Sequence, residues 1–147
     1  MNNILELLEH TAAARPEKTA VIDENGADRF DTLLDRSRRC GTALAAHLSP
    51  TAPVPVLLDK SREALYAFFG AAYAGCFYVP LSPALPQPRL TQILSVLQAP
   101  CIVTDREHAA LAAQLPGVGR ILLVEELLQT QPDDTLLTRI RLGAIDG

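Results

Sequence analysis

The sequence predicts an α/β fold: a parallel sheet flanked by helices, with a small β-hairpin near the N-terminus. Three observations carry this. From Val54 to Val124, short apolar runs alternate with helical patterns in the order strand, helix, strand, helix, strand, helix, strand. Alternation of that kind produces parallel strands joined by right-handed crossovers. The strand runs are apolar throughout, which fits a sheet covered on both faces. Near the N-terminus, Asn25-Gly26 separates two short β-prone runs, a strong hairpin signal.

The chain opens with Ile4-Leu5-Glu6-Leu7-Leu8, the start of a short amphipathic helix through Ala14, and Pro16 follows it. Thr19-Ala20-Val21-Ile22 reads as a strand, and Arg29-Phe30 as the start of its return. This pair is expected to be a ribbon apart from the main sheet. A helix is predicted from about Thr32 to Leu48, with Leu33, Leu34, Cys40, Ala43, Leu44 and Leu48 near one face. Asp35, Arg36, Arg38 and Arg39 occupy the other face, read as solvated.

Pro50, Pro53 and Pro55 mark a linker into the strand Val54–Leu58. From Ala64 to Gln87 no side chain is charged. A membrane span needs roughly 20 apolar residues. Here Gly70 and Gly75 interrupt the run, and Pro80, Pro83, Pro86 and Pro88 follow. The stretch therefore reads as helix, glycine stop, strand and proline-rich exit. Ser61 is the expected N-cap and Gly75 the left-handed residue past the helix end. Cys76–Val79 is the expected strand, buried at the centre of the sheet.

Leu90, Ile93, Leu94 and Leu97 then repeat the i, i+3, i+4, i+7 spacing of a helix. Pro100 ends it, and Cys101–Thr104 is the next strand. Asp105 is the expected N-cap of a helix through about Leu115, and Arg120–Val124 the last strand. The division expected is residues 1–31, helix and hairpin; 32–128, the α/β body; and 129–147, an irregular segment with a helix around Thr135–Ile140.

The 147 residues are enough for one domain or a piece of a larger one, with 48% hydrophobic and 20% charged side chains to build a core. A net charge of −4 without a basic stripe argues against nucleic acid and anionic membrane as partners. Met1-Asn2-Asn3 lacks the basic start of a secretory signal, so a cytoplasmic location is expected.

In parallel α/β folds ligands lie beyond the carboxyl ends of the strands. Those ends are Asp59-Lys60-Ser61, Leu81-Ser82-Pro83 and Thr104-Asp105. Asp59, Lys60 and Asp105 resemble part of a phospho-receiver, but the acidic pair a receiver needs after its first strand is not supplied. Gly117-x-Gly119 precedes a strand rather than a helix, and no GxxxxGK[ST] is present. Ser61 and Ser82 lack a GxSxG setting. His10, His47 and His108 have no metal-ligand spacing and read as surface residues. Asp133-Asp134 and Glu125-Glu126 read as solvated or capping pairs. Cys40, Cys76 and Cys101 contain no CxxC pair and read as small buried hydrophobes. No catalytic, cofactor-binding or metal residue is assigned.

Tyr73-Ala74-Gly75-Cys76-Phe77-Tyr78-Val79-Pro80-Leu81-Ser82-Pro83 resembles the AGxxYVPLDP motif of adenylate-forming enzymes. Pro86-x-x-Arg89-Leu90 matches the P-x-x-R-L that follows it there. Arg29–Leu33 sits where that family has T-Y-x-E-L, and Arg15–Val21 resembles its "RTPDAVAV" start. Pro100–Asp105 resembles the strand after the next helix. The likeness runs in order from Ile4 to Asp105. It departs at Tyr73, usually Lys, and at Ser82, usually Asp in the amino-acid-activating branch. Tyr78–Leu81 leans toward that branch, which includes nonribosomal peptide synthetase adenylation domains and D-alanine–carrier-protein ligases.

The resemblance implies the N-terminal subdomain of an ATP-dependent ligase that forms an acyl-adenylate and passes the acyl group to a thiol or other acceptor. ATP and Mg are implied for the full-length enzyme and neither for this chain. Ala144–Gly147 resembles the lead-in to the family's phosphate-binding loop, and the chain alone is expected to be inactive. Implied partners are the remainder of the enzyme and a carrier protein, and a homodimer through exposed apolar surface is a further expectation. The alternative is a free-standing flavodoxin-like binding or interaction module without catalysis.

Overall fold

The structure, a computed structural model, describes residues 4–146. Met1–Asn3 and Gly147 lie outside the described residues. The first helix, α1 (Ile4–Ala14), buries Leu5, Leu8 and Ala12, one stripe at i, i+3, i+7. Strands β1 (Thr19–Asp23) and β2 (Gly26–Arg29) form a separate antiparallel ribbon, as expected. Its turn is one residue earlier than Asn25-Gly26. The ladder closes at Asp23↔Gly26, so Glu24-Asn25 make the bend. The cause is Asp23, whose Oδ1 accepts the Asn25 N–H at 2.9 Å and imposes an Asx turn.

Phe30 does not continue the return strand. It opens α2 (Phe30–His47), and its half-buried ring joins the main core. Helix α3 (Arg62–Tyr73) starts at Ser61, whose Oγ accepts the Ala64 N–H at 3.2 Å. α2 and α3 cross very closely. A Cβ on Gly41 would sit 2.6 Å from Tyr73 Cβ, and one on Gly70 would sit 2.6 Å from Cys40 Cβ. The helical part of the uncharged run thus packs closely on α2, with glycines where the backbones meet.

The main sheet contains β3 (Pro53–Leu57), β4 (Phe77–Leu81), β5 (Cys101–Thr104) and β6 (Arg120–Leu123). All pairings are parallel, in the order β4-β3-β5-β6. The strand expected at the centre, β4, lies at the edge, and Phe77 on it is exposed. Pro80 explains this. The Phe77 N–H bonds Ala52 O in the direction of β3. Alternation then turns the backbone of Tyr78 and Pro80 to the open side, where a missing N–H costs no ladder bond. Pro55 sits in β3 just before pairing with β5 begins at Val56↔Val103. Cys76 precedes the strand and is half-buried rather than buried within it.

Apolar layers cover both faces. On one side Val54, Val56, Cys101 and Val103 pack beneath α2 and α3. On the other, Leu57, Leu81 and Ile102 pack beneath α4 (Gln87–Leu97) and α5 (Ala109–Gln114). Successive residues of β5 alternate between these layers, as a strand's period of two demands. Each fully buried leucine contributes about 1.5–3 kcal/mol. Asp105 does not cap α5 directly; its Oδ1 accepts the His108 N–H at 2.9 Å and closes a turn ahead of the helix.

A short α6 (Val124–Leu127) follows β6. The segment expected to be irregular beyond residue 129 carries a long helix, α7 (Asp134–Asp146). Asp133 starts it, with Oδ1 accepting the Leu136 N–H at 3.0 Å. Among the described residues, no helix is long and apolar enough to cross a membrane.

Candidate functional site

The carboxyl ends of β3, β5 and β6 bring Asp59, Asp105 and Glu125 to one end of the sheet. His108 lies among them and is not a free surface residue. Its Nδ1 is 2.7 Å from Asp105 Oδ1 and its Nε2 is 3.5 Å from Asp59 Oδ2, with the side chain only 14% exposed. The clue in the sequence was its place three residues after a strand-end aspartate. His10 and His47 are exposed, as expected. Ligand atoms of Asp105, Glu107 and His108 lie within 4.8 Å of one another, a donor set of a kind that can hold a cation. Glu125 Oε2 accepts the Arg106 N–H at 3.0 Å beside this turn.

A groove of about 720 Å³ runs between the hairpin and the start of α3, lined by Ile22, Asp23, Lys60, Ser61 and Tyr78. A second hollow of about 560 Å³ shares Asp59, Lys60 and Tyr78 with it and extends to Ser82. The strand-end residues Asp59, Lys60, Ser61 and Ser82 therefore meet on one face. Thr104 does not join them. It is buried, and its Oγ1 donates to Leu57 O at 2.6 Å.

The two serines have backbone duties. Ser61 caps α3, and Ser82 Oγ accepts the Ala84 N–H at 3.2 Å. The thiols are poor nucleophiles. Burial pushes Cys40 up to about 12 and is the main cause that pushes Cys101 up to about 11, far from the thiolate at neutral pH. A triphosphate needs cations and backbone donors around it. Here Asp59, Asp105, Glu107 and Glu125 gather at one end of the sheet, with Lys60 lining the groove beside Asp59.

The arginines of α2 are not a solvated face. Arg36 Nη1 donates to Tyr66 Oη at 2.7 Å and lies 3.3 Å from Asp28 Oδ1. Arg38 reaches Glu9 at 3.3 Å, and Arg39 pairs with Asp35 at 2.8 Å. Two ionic nodes result. In the first, buried Asp28 accepts from the Tyr66 hydroxyl and from Arg62 Nη1, which lies 2.8 Å away. Arg62 also binds Asp23, through its N–H at 2.9 Å and its Nε at 3.2 Å. In the second, Glu9 accepts from Tyr73 Oη at 2.7 Å and from Arg141 at 2.9 and 2.7 Å. Chiefly through the hydrogen bonds from Arg141, the Glu9 carboxyl is held down to about 2, against the burial that would raise it. Burial first, then the bond to Asp28, pushes Tyr66 up to about 12. Neither node was visible in the sequence, because apart from Arg36–Asp28, eight residues apart, their contacts join residues 29 to 132 apart.

The motif-bearing stretch is laid out in the same body. Tyr73 ends α3, Gly75 turns the chain at φ +76, and Phe77–Leu81 form the edge strand. Pro86 stands just before α4, which carries Arg89 and Leu90. Residues 8–140 match the family described as AMP-binding enzyme.

The chain belongs to the AMP-binding enzyme family.

It is 29% identical over 141 residues to nonribosomal peptide synthetase opaA of Aspergillus ustus, across 95% of this chain and 4% of that protein. It is 31% identical over 133 residues to tyrocidine synthase 3 of Brevibacillus parabrevis, across 89% of this chain and 2% of that one. The N-terminal domain of FACL13 from Mycobacterium tuberculosis has the same fold, with a TM-score of 0.79 at 22% identity, over 89% of this chain and 36% of that domain. The chain thus spans a small part of the relatives it matches. Within the AMP-binding fold it corresponds to the N-terminal region, a parallel sheet with its helices and the hairpin.

Proposed function

We propose that this chain is the N-terminal portion of an ATP-dependent ligase that activates an amino acid or another carboxylate, and that it is inactive alone. In that reaction a substrate carboxylate oxygen attacks the α-phosphate of ATP and pyrophosphate leaves. The acyl-adenylate then gives its acyl group to a thiol or other acceptor, releasing AMP. The observation that supports this reading is the match across residues 8–140 to a family whose relatives here are far longer.

The chain's own residues support the scaffold part of that role. Its motif residues turn and terminate elements, as Tyr73 and Gly75 do at the end of α3. ATP and Mg belong to the parent enzyme. Its partners are the remainder of that enzyme and a carrier protein, in the cytoplasm, without nucleic acid or membrane. A division near residues 31 and 128 is part of the same proposal, with α2 opening at Phe30 and α7 in the last segment. Exposed Ile22 and Phe77 support self-association of the chain when it is alone.

The test is ATP–pyrophosphate exchange with a panel of amino and carboxylic acids, alongside calorimetric titration of ATP-Mg. The chain alone is expected to show neither exchange nor binding; exchange by it would overturn the claim of inactivity. A longer gene product containing it is expected to exchange pyrophosphate with at least one acid. Failure across the whole panel would overturn the ligase reading.

A further inference from the structure

Helix α7 buries one narrow stripe. Among residues 134–143 only Leu137 is buried. Leu137, Ile140 and Arg141 stand at i, i+3 and i+4, so they share a face. Leu137 packs with Leu5 and Tyr73. A Cβ on Gly75 would lie 3.0 Å from Ile140 Cγ2, so that methyl rests against the glycine. Arg141 makes its two bonds to Glu9 with its guanidinium 5.5 Å from the centre of the Tyr73 ring. These partners belong to α1 or to the Tyr73–Gly75 turn, and α2 adds Arg38, 3.8 Å from Asp134 at the start of α7.

We propose that the Tyr73–Gly75 turn, together with Glu9, is the docking seat of α7. The front half of the adenylate-forming motif is then a positioning element for the chain that α7 leads into. That second statement rests on the ligase reading above; the docking itself does not.

The identity of residue 73 fits the seat. Glu9 is a single carboxylate with Arg38 and Arg141 already on it. A lysine at 73 would bring a third cation to that carboxylate. Tyrosine instead donates its hydroxyl to Glu9 and offers a ring face to both guanidiniums, at 5.8 Å for Arg38 and 5.5 Å for Arg141. Gly75 fits as well. At φ +76 it meets Ile140 where a side chain would push the helix away. Tyr73 and Arg141 form a matched pair, and Gly75 leaves room for the helix above it.

Amide hydrogen exchange of the 147-residue chain, read by mass spectrometry, tests the seat without involving ATP. The peptides compared are those of α7, residues 134–143, and those of β3 and β5. Arg141→Met lies on α7 itself and leaves the seat intact. It is expected to speed exchange in α7 by at least about tenfold, because both charge-assisted hydrogen bonds to Glu9 are lost, with β3 and β5 unchanged. Glu9→Gln is expected to do the same. The double variant is expected to exchange no faster than Arg141→Met alone, and Arg141→Lys to fall between wild type and Arg141→Met. Unchanged α7 exchange in Arg141→Met would overturn the seat. So would additive effects in the double variant, or a rise in β3 and β5 that keeps step with α7.

Discussion

The Arg62 guanidinium lies 2.8 Å from the Asp28 carboxylate, across 34 residues of chain, with the Asp28 side chain only 2% exposed. This contact ties the hairpin to the first turn of α3. Asp28 is also met by the Tyr66 hydroxyl and by Arg36. The ribbon that the sequence marked as separate is therefore bound to the body by ionic contacts. Removing one partner of a buried pair leaves the other uncompensated, at a cost of about 3–5 kcal/mol. Asp28→Ala is expected to lower unfolding stability by about 3 kcal/mol in urea titration. A loss under about 1 kcal/mol would mean that the node contributes little.

Glu9 sets a pH dependence whose sign follows from its pairing. Its carboxyl is held at about 2, below the usual 4.5, because Arg141, Tyr73 and Arg38 all bond the charged form. A depressed carboxyl stabilises the fold above its unfolded value, and that contribution disappears as the pH falls from about 4.5 toward 2. Wild type is expected to be more stable than Glu9→Gln at pH 6, with the gap shrinking by pH 3. Urea midpoints at the two pH values measure it. A gap of constant size would assign the effect to packing rather than to charge.

Pro80 leaves the open edge of β4 without one of its donors. Edge strands are templates for pairing with another chain, and proline is one of the devices that blunt them. Pro80→Val restores the N–H on the open side and adds a β-branched side chain. The variant is expected to self-associate at lower concentration than wild type in sedimentation equilibrium. Equal association constants would show that the edge is guarded by something other than proline.

The three thiols differ in access. Cys40 and Cys101 are buried, whereas Cys76 is half-buried ahead of β4. With a chromogenic thiol reagent at neutral pH, Cys76 is expected to react first in the native protein. The other two are expected to react only at the rate of unfolding. Fast labelling of Cys40 in a Cys76→Ser variant would contradict the close crossing of α2 and α3 that encloses it.

Much of the fold was legible. Ser61 as a cap, Gly75 as a left-handed stop and the strand at Cys101–Thr104 are local matters, decided by hydrogen bonds and backbone preferences within a few residues. The alternation of short apolar runs with helical stripes specifies parallel strands, because neither pattern can bury its face without the other. The motif around Ala74–Pro83 was enough to point to the adenylate-forming family.

The local errors also have local causes. Asp23 drew the hairpin turn back one residue through an Asx bond, and Asp105 closed a turn instead of a helix. In each case a side-chain oxygen won an N–H that a propensity argument had assigned elsewhere.

Tertiary structure decided what lies between distant residues. The sequence placed Cys76–Val79 in a strand, but only the strand order put β4 at the edge. It showed a row of arginines on α2, but not that Arg36 reaches Asp28 and Tyr66 or that Arg38 reaches Glu9. It showed three isolated histidines, and the fold set His108 between two carboxylates from different strand ends. Periodicity and capping act over one or two turns of chain. An ion pair such as Glu9–Arg141 spans 132 residues and exists only after helix and strand packing has brought its two ends together.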